Sequence, residues 1–268
     1  MPVSSLSTWL PVPSRYAVEL ARFERGVDPR HWQQRSVAVV PLEAGAPTSV
    51  VAALVALVGD RLTHETIVGV DTSGDRSLGS LLGASTGGDL GALAGQPEMR
   101  ERRSVDRFVD FETVTSVATI APNQARPVIS ADELAAALRQ LKRRFRGYVV
   151  DVPSTVAATL MPAAVAAADV VVAVTSTRRL PDWVFHTDNP LQPFLRSGNL
   201  VFVHAHQPPA AGTSLPFDLR VPTHALGIEL YPDGRWNLPT TARGIDLAAG
   251  DYQLTETAIS LACSVYGR

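Results

Sequence analysis

GYVVDVPSTVAATLMPAAVAAADVVVAVTST, residues 147–177, is the stretch that decides the fold. Its two apolar runs, 147–152 and 169–174, are short, β-branched and continuous, and an Ala-rich segment long enough for a helix lies between them. An alternating run buries one face of a strand, whereas a continuous one is buried on both faces. Strand, helix and strand of this kind form the repeating unit of a parallel sheet whose connections pass over its faces. Working outward, the same rhythm appears in SVAVV (36–40), TSVVAALVALVGDRL (48–62), TIVGV (66–70), SVATIA (116–121), ADELAAALRQLKRRF (131–145), NLVFVHA (199–205) and HALGIEL (224–230). The expected class is α/β: a doubly wound, mostly parallel sheet with helices on both faces over residues 36–268, preceded by a 1–35 extension. YAVELARFERG (16–26) predicts one amphipathic helix in that extension. Residues 74–115, with Gly-rich 83–96 and charged 98–112, interrupt the rhythm and read as a mobile insertion between two strands.

Composition narrows the function classes. Of 268 residues, 46% are hydrophobic and 19% charged, which suits a full core rather than a solvated chain. Lys+Arg 24 against Asp+Glu 26 gives a charge of -2, so no global positive field holds nucleic acid. Lys142 is the single lysine, and the other 23 basic residues are arginine, a bias that hints at a GC-rich bacterial coding sequence. The lone Cys263 excludes an intrachain disulfide framework and any multi-cysteine metal site, as in a reducing compartment. No apolar run reaches the length of a membrane span, and the first residues lack a secretory pattern, so the expected address is the cytoplasm.

In such a sheet ligands bind beyond the carboxyl ends of the strands. There the sequence resembles the MinD/ParA family of deviant Walker ATPases over roughly residues 36–262. Residues 147–177 are similar to the family's YDYVLIDTPPG stretch with the helix and strand that follow it. IVGVDTSGDRSLGSLLG (67–83) is similar to VLLVDLDPQGSLSLLLG, and residues 117–145 keep the family's order. The resemblance implies that Asp151 is the Walker B acid and Asp71 the acid ending the second strand. It also implies a two-fold dimer built around the nucleotide face. The residues themselves leave a second reading open, in which both carboxylates are buried strand ends bonded to loop amides.

The family's phosphate loop, KGGVGKTT, falls on EAGAPTSV, residues 43–50. Glu43 takes the place of the signature lysine and Thr48 that of the Walker lysine. Pro47 replaces a glycine and removes an N–H from the cradle. Gly45 remains, and Ser49 matches the Mg²⁺-binding hydroxyl; were Mg²⁺ bound, Ser49 and Asp151 would hold it. Lys142 lies far along the chain in a helix, so no cation comes from within the loop. A carboxylate about 4 Å from a phosphate charge costs roughly 4 kcal/mol at an effective dielectric of 20. That is about a thousandfold in affinity. Ser73 also replaces the family's second acid, which positions the attacking water.

The resulting expectation is a pseudo-ATPase without cofactor and without catalytic residues, serving as a scaffold or positioning component of a bacterial assembly (secretion, pilus, conjugation, division or partition), as a homodimer with a further protein partner. Two alternatives remain open. One is a weakly active ATPase that holds ATP through backbone amides and arginines of the 98–107 insertion, with Asp71 and Asp151 on Mg²⁺, at the degenerate nucleotide site of Glu43, Gly45, Pro47, Thr48, Ser49, Asp71 and Asp151. The other is a partition factor contacting DNA through Arg143 and Arg144, although the charge balance disfavours nucleic acid. His204 and His206, with His186 and His224, offer a His-only zinc site, weighed against polar strand ends. The last helix, 251–266, reads as core-facing, so direct membrane contact is not expected.

Overall fold

Continuous apolar strands require cover on both faces, and the chain supplies it in two layers. The structure, a computed structural model, describes residues 33, 35–63, 66–84, 88–97, 102–111, 113, 115–145, 147–177, 180–205, 221–225, 240–241, 244–245, 247 and 252–267. The 16–26 helix of the extension and His206 lie outside them.

Seven strands form one parallel sheet: β1 (Ser36–Pro41), β2 (Val68–Asp71), β3 (Ala118–Ile120), β4 (Tyr148–Asp151), β5 (Val170–Thr175), β6 (Leu200–His204) and β7 (Thr223–Ala225). Their order is β3-β2-β4-β1-β5-β6-β7, and every pairing is parallel. Register sets Val39 beside Asp151 and Asp151 beside Asp71, so both acids stand at the carboxyl edge. The chain leaves β1 toward β2 and leaves β5 toward β6. The crevice of a doubly wound sheet therefore opens beside β1.

Alternate residues of β1 serve different layers. Val37 and Val39 pack with α1 (Thr48–Thr63), α2 (Ser77–Leu81) and the C-terminal helix, while Ala38 and Val40 pack with α3 (Leu90–Ala94), α4 (Ala131–Arg144) and α5 (Ala157–Ala167). A sixth helix, α6 (Gln192–Ser197), precedes β6, and α7 (Tyr252–Tyr266) closes the chain. As the sequence predicts, α7 turns Ala258, Leu261, Ala262 and Val265 into the core. Helix α4 begins with a capping box, Ser130 and Glu133 each bonding the other's backbone N–H. No helix among the described residues is long and apolar enough to cross a membrane.

The expected mobile insertion is corrected by the structure. Leu78, Leu82, Leu90, Leu93, Val105 and Val109 are buried, and a short 3₁₀ helix (Arg102–Phe108) lies against α4. Asp110 exchanges two backbone hydrogen bonds with Thr119 of β3, both 2.8 Å. Buried Gln140 of α4 donates to the Leu93 carbonyl at 2.9 Å. The stretch looks loose in sequence because its apolar residues are spread over short elements that reveal no period.

Candidate functional site

Asp151 ends β4, Asp71 ends β2, and Thr48 and Ser49 open α1, so the sheet brings the four together. Asp151 is fully buried, and its Oδ2 accepts the Ser49 hydroxyl at 2.5 Å. Its Oδ1 is buried with no hydrogen-bond partner. Burial first, and then the nearby Asp71 charge, push the Asp151 carboxyl up to about 8, with the Ser49 and Thr48 hydroxyls offsetting part of the rise.

Asp71 behaves differently. It accepts from the Ser73 N–H and hydroxyl through Oδ1, and from the N–H groups of Leu78 and Gly79 through Oδ2. Burial raises its pKa, and these bonds pull it back. The bland reading, a strand end satisfied by loop amides, therefore describes Asp71 but not Asp151. Sequence reasoning missed the hydroxyls joining the two acids. Ser49 Oγ lies 2.8 Å from Ser77 Oγ, and Ser77 Oγ lies 3.4 Å from Ser73 Oγ. Ser73 also donates to exposed Asp75 at 2.5 Å. The run of Ser73, Asp75 and Ser77 was the available signal.

The phosphate-loop equivalent is folded on itself. Gly45 has φ +80, a backbone conformation that L side chains rarely adopt, and a Cβ there would meet nothing within 4 Å. Its N–H donates to Ser154 Oγ at 3.3 Å, the Ala46 N–H to the Glu43 carbonyl at 3.5 Å and the Thr48 N–H to the Ala46 carbonyl at 2.9 Å. Buried Pro47 has no N–H to offer. The N–H groups of Gly45, Ala46 and Thr48 are thus engaged within the chain.

Glu43 corrects the electrostatic expectation. Its carboxylate faces the end of β5 and accepts the Thr175 hydroxyl at 2.8 Å, the Ser176 hydroxyl at 2.8 Å and the Ser176 N–H. A group held there by three donors does not carry the full predicted repulsion.

The donor set fits Mg²⁺. This ion favours oxygen ligands and keeps several waters. Ser49 Oγ and the unpartnered Asp151 Oδ1 are oxygens at one spot.

The other candidates separate. The Arg144 guanidinium grips Asp106 at 2.7 and 2.9 Å and lies over the Phe145 ring, so it braces the 3₁₀ helix instead of standing ready for DNA. Arg143 is exposed one residue earlier. Arg144→Ala is expected to cost about 1 kcal/mol in a urea melt, the scale of a partly exposed bidentate pair. DNA retention should stay unchanged; a salt-sensitive loss of DNA binding would restore the partition reading. His204 and His224 do not converge either. Register places His224 beside Val203, one step from His204, so the two point to opposite sides of the sheet. His204 Nδ1 meets the Thr177 carbonyl and His224 Nε2 meets Ser264 Oγ. Among the described residues no group of three or more His, Cys, Asp or Glu could hold a metal ion.

No protein-family model and no curated protein matches this sequence. Solved structures do. A ParA family ATPase from Chlorobium tepidum superposes with TM-score 0.58 at 15% identity, over 85% of this chain and 98% of that one. An aspartate-to-alanine variant of Cyanothece McdA in complex with ATP gives TM-score 0.61 at 14% identity, over 87% and 96%. MinD in the MinC:MinD cell division complex of Aquifex aeolicus gives 0.57 at 16%, over 85% and 93%. The expectation of a cofactor-free protein is corrected here: a neighbour sharing this architecture carries ATP, which points to nucleotide rather than to none. At the level of architecture, this polypeptide has the fold of the MinD/ParA ATPases.

Proposed function

We propose that the chain is a MinD/ParA-like scaffold or positioning protein that takes Mg²⁺–nucleotide as a conformational ligand and does not turn it over. The observation that carries this reading is the asymmetry of the site. The metal side is intact, with Ser49 on a buried Asp151 whose second oxygen has no partner. The phosphate side has Pro47 and Thr48, and its Gly45, Ala46 and Thr48 amides are engaged within the chain. Binding is therefore led by the cation and is weaker than in lysine-bearing relatives.

Mg²⁺, when bound, would neutralise phosphate charge that no lysine of the loop can meet. Ser49 and Asp151 would hold it; Asp71 keeps the loop 72–79 in place through its amide bonds. The Ser73 hydroxyl is too weak a base to accept a proton from an attacking water, and its one hydrogen is already engaged by the Asp71 and Asp75 carboxylates. The face then marks a state rather than driving a reaction. The protein works as a homodimer within a bacterial cytoplasmic assembly, of the secretion, pilus, conjugation, division or partition kind, through a further protein partner.

Titration of a fluorescent ATP analogue, with and without Mg²⁺, tests this together with phosphate release and mass in solution. Expected are Mg²⁺-dependent binding, no release above blank, and a dimer with or without nucleotide. Steady turnover, or a dimer that forms only with ATP, would sink the scaffold reading.

A further inference from the structure

The three donors around Glu43 make a site in their own right. The Thr175 hydroxyl, the Ser176 hydroxyl and the Ser176 N–H converge from one turn at the carboxyl end of β5, and the carboxylate they hold comes from the turn after β1, more than 130 residues earlier in the chain. Convergent hydroxyl and amide donors are what an oxyanion requires, and such bonds to a charged acceptor are the strong ones. The pairing spans the crevice beside β1, where a ligand of this fold class would enter. On the far side the same loop is fastened by Gly45 N–H to Ser154 Oγ, and above Gly45 the space is open.

We propose that Thr175 and Ser176 form an oxyanion site that the chain closes with its own Glu43, and that an incoming phosphate or carboxylate group opens the face by taking the place of that side chain. The ligand class is an oxyanion with at least two free oxygens, since Oε1 and Oε2 are both engaged. The consequence for nucleotide rests on the function proposed above: a phosphate must displace Glu43 before the loop can yield. Wild-type protein is therefore held in a closed state by an internal competitor, and its affinity is lowered by the population of that state.

The test uses the full chain. In Glu43→Ala, amide exchange at Ser176 should rise about tenfold, the scale of a lost hydrogen bond to a charged group. Formate should restore protection, and chloride at equal ionic strength should not. Glu43→Ala should also bind Mg²⁺–ATP about tenfold more tightly than wild type. Unchanged exchange at Ser176, or equal restoration by chloride, overturns the oxyanion site. Equal ATP affinity in two binding-competent forms overturns the competition. If neither form binds ATP while formate still restores Ser176, the oxyanion site stands and the nucleotide reading fails.

Discussion

Asp151→Asn is expected to make the metal-free protein more stable at neutral pH and to abolish its stabilisation by Mg²⁺. The Asp151 carboxyl is raised from 3.8 to about 8, so the folded state holds a proton that the unfolded chain has already lost over that range. Stability from this group is fully present below about pH 4, falls as pH rises, and is gone above about 8. At about 1.4 kcal/mol per pH unit, the loss reaches on the order of 4 kcal/mol at neutral pH. An asparagine does not ionise, though a buried amide with an imperfect partner gives back about 1–2 kcal/mol. Urea melts in EDTA should therefore show the wild type weakening from acid to neutral pH, with the variant stronger by about 2–3 kcal/mol at the neutral end. Adding Mg²⁺ should raise only the wild type. Parallel pH profiles for the two proteins would refute the assignment of Asp151 as a carboxylate waiting for a cation.

A second large effect is expected at Gly88, well away from the site. Its φ is +63, and a Cβ there would overlap the Phe108 carbonyl oxygen while crowding the Phe108 carbonyl carbon at 3.2 Å and the Asp110 nitrogen at 3.3 Å. Both neighbours are backbone, and Asp89 N–H donates to the same Phe108 oxygen at 2.9 Å, so neither can retreat cheaply. Backbone strain and overlap together should cost Gly88→Ala about 2–4 kcal/mol. The measurement is the chemical denaturation midpoint, with the slope unchanged. A near-neutral variant would mean that residues 88–110 are the loose insertion suggested by their sequence.

That contrast shows where the sequence was legible. Strands β1, β4 and β5 could be read within a residue or two because each is a continuous β-branched run, and α4 because a capping box and three terminal cations bound it. Asp71, Asp151 and Ser49 could be named because their segments resemble MinD/ParA motifs, and the structure brings the three to one edge of the sheet. Residues 88–97 and 102–110 were misread because their order comes from contacts with α4 and β3, distant in sequence. Arg144 looked like part of a basic patch for the same reason: Asp106, which engages it, lies 38 residues away.

By itself, then, the sequence determined the class of fold, the meeting of Asp71 and Asp151 at the carboxyl edge of the sheet, and the absence of lysine from the loop at that edge. These follow from residue type and local period, which need no knowledge of distant neighbours. Only the tertiary structure decided the orientation of Glu43, the contrast between a satisfied Asp71 and an Asp151 with one unpartnered oxygen, and the packing of the supposed insertion. Each depends on hydrogen bonds or burial between segments brought together by the sheet, and a side chain's charge state and direction are set by those neighbours rather than by its own identity.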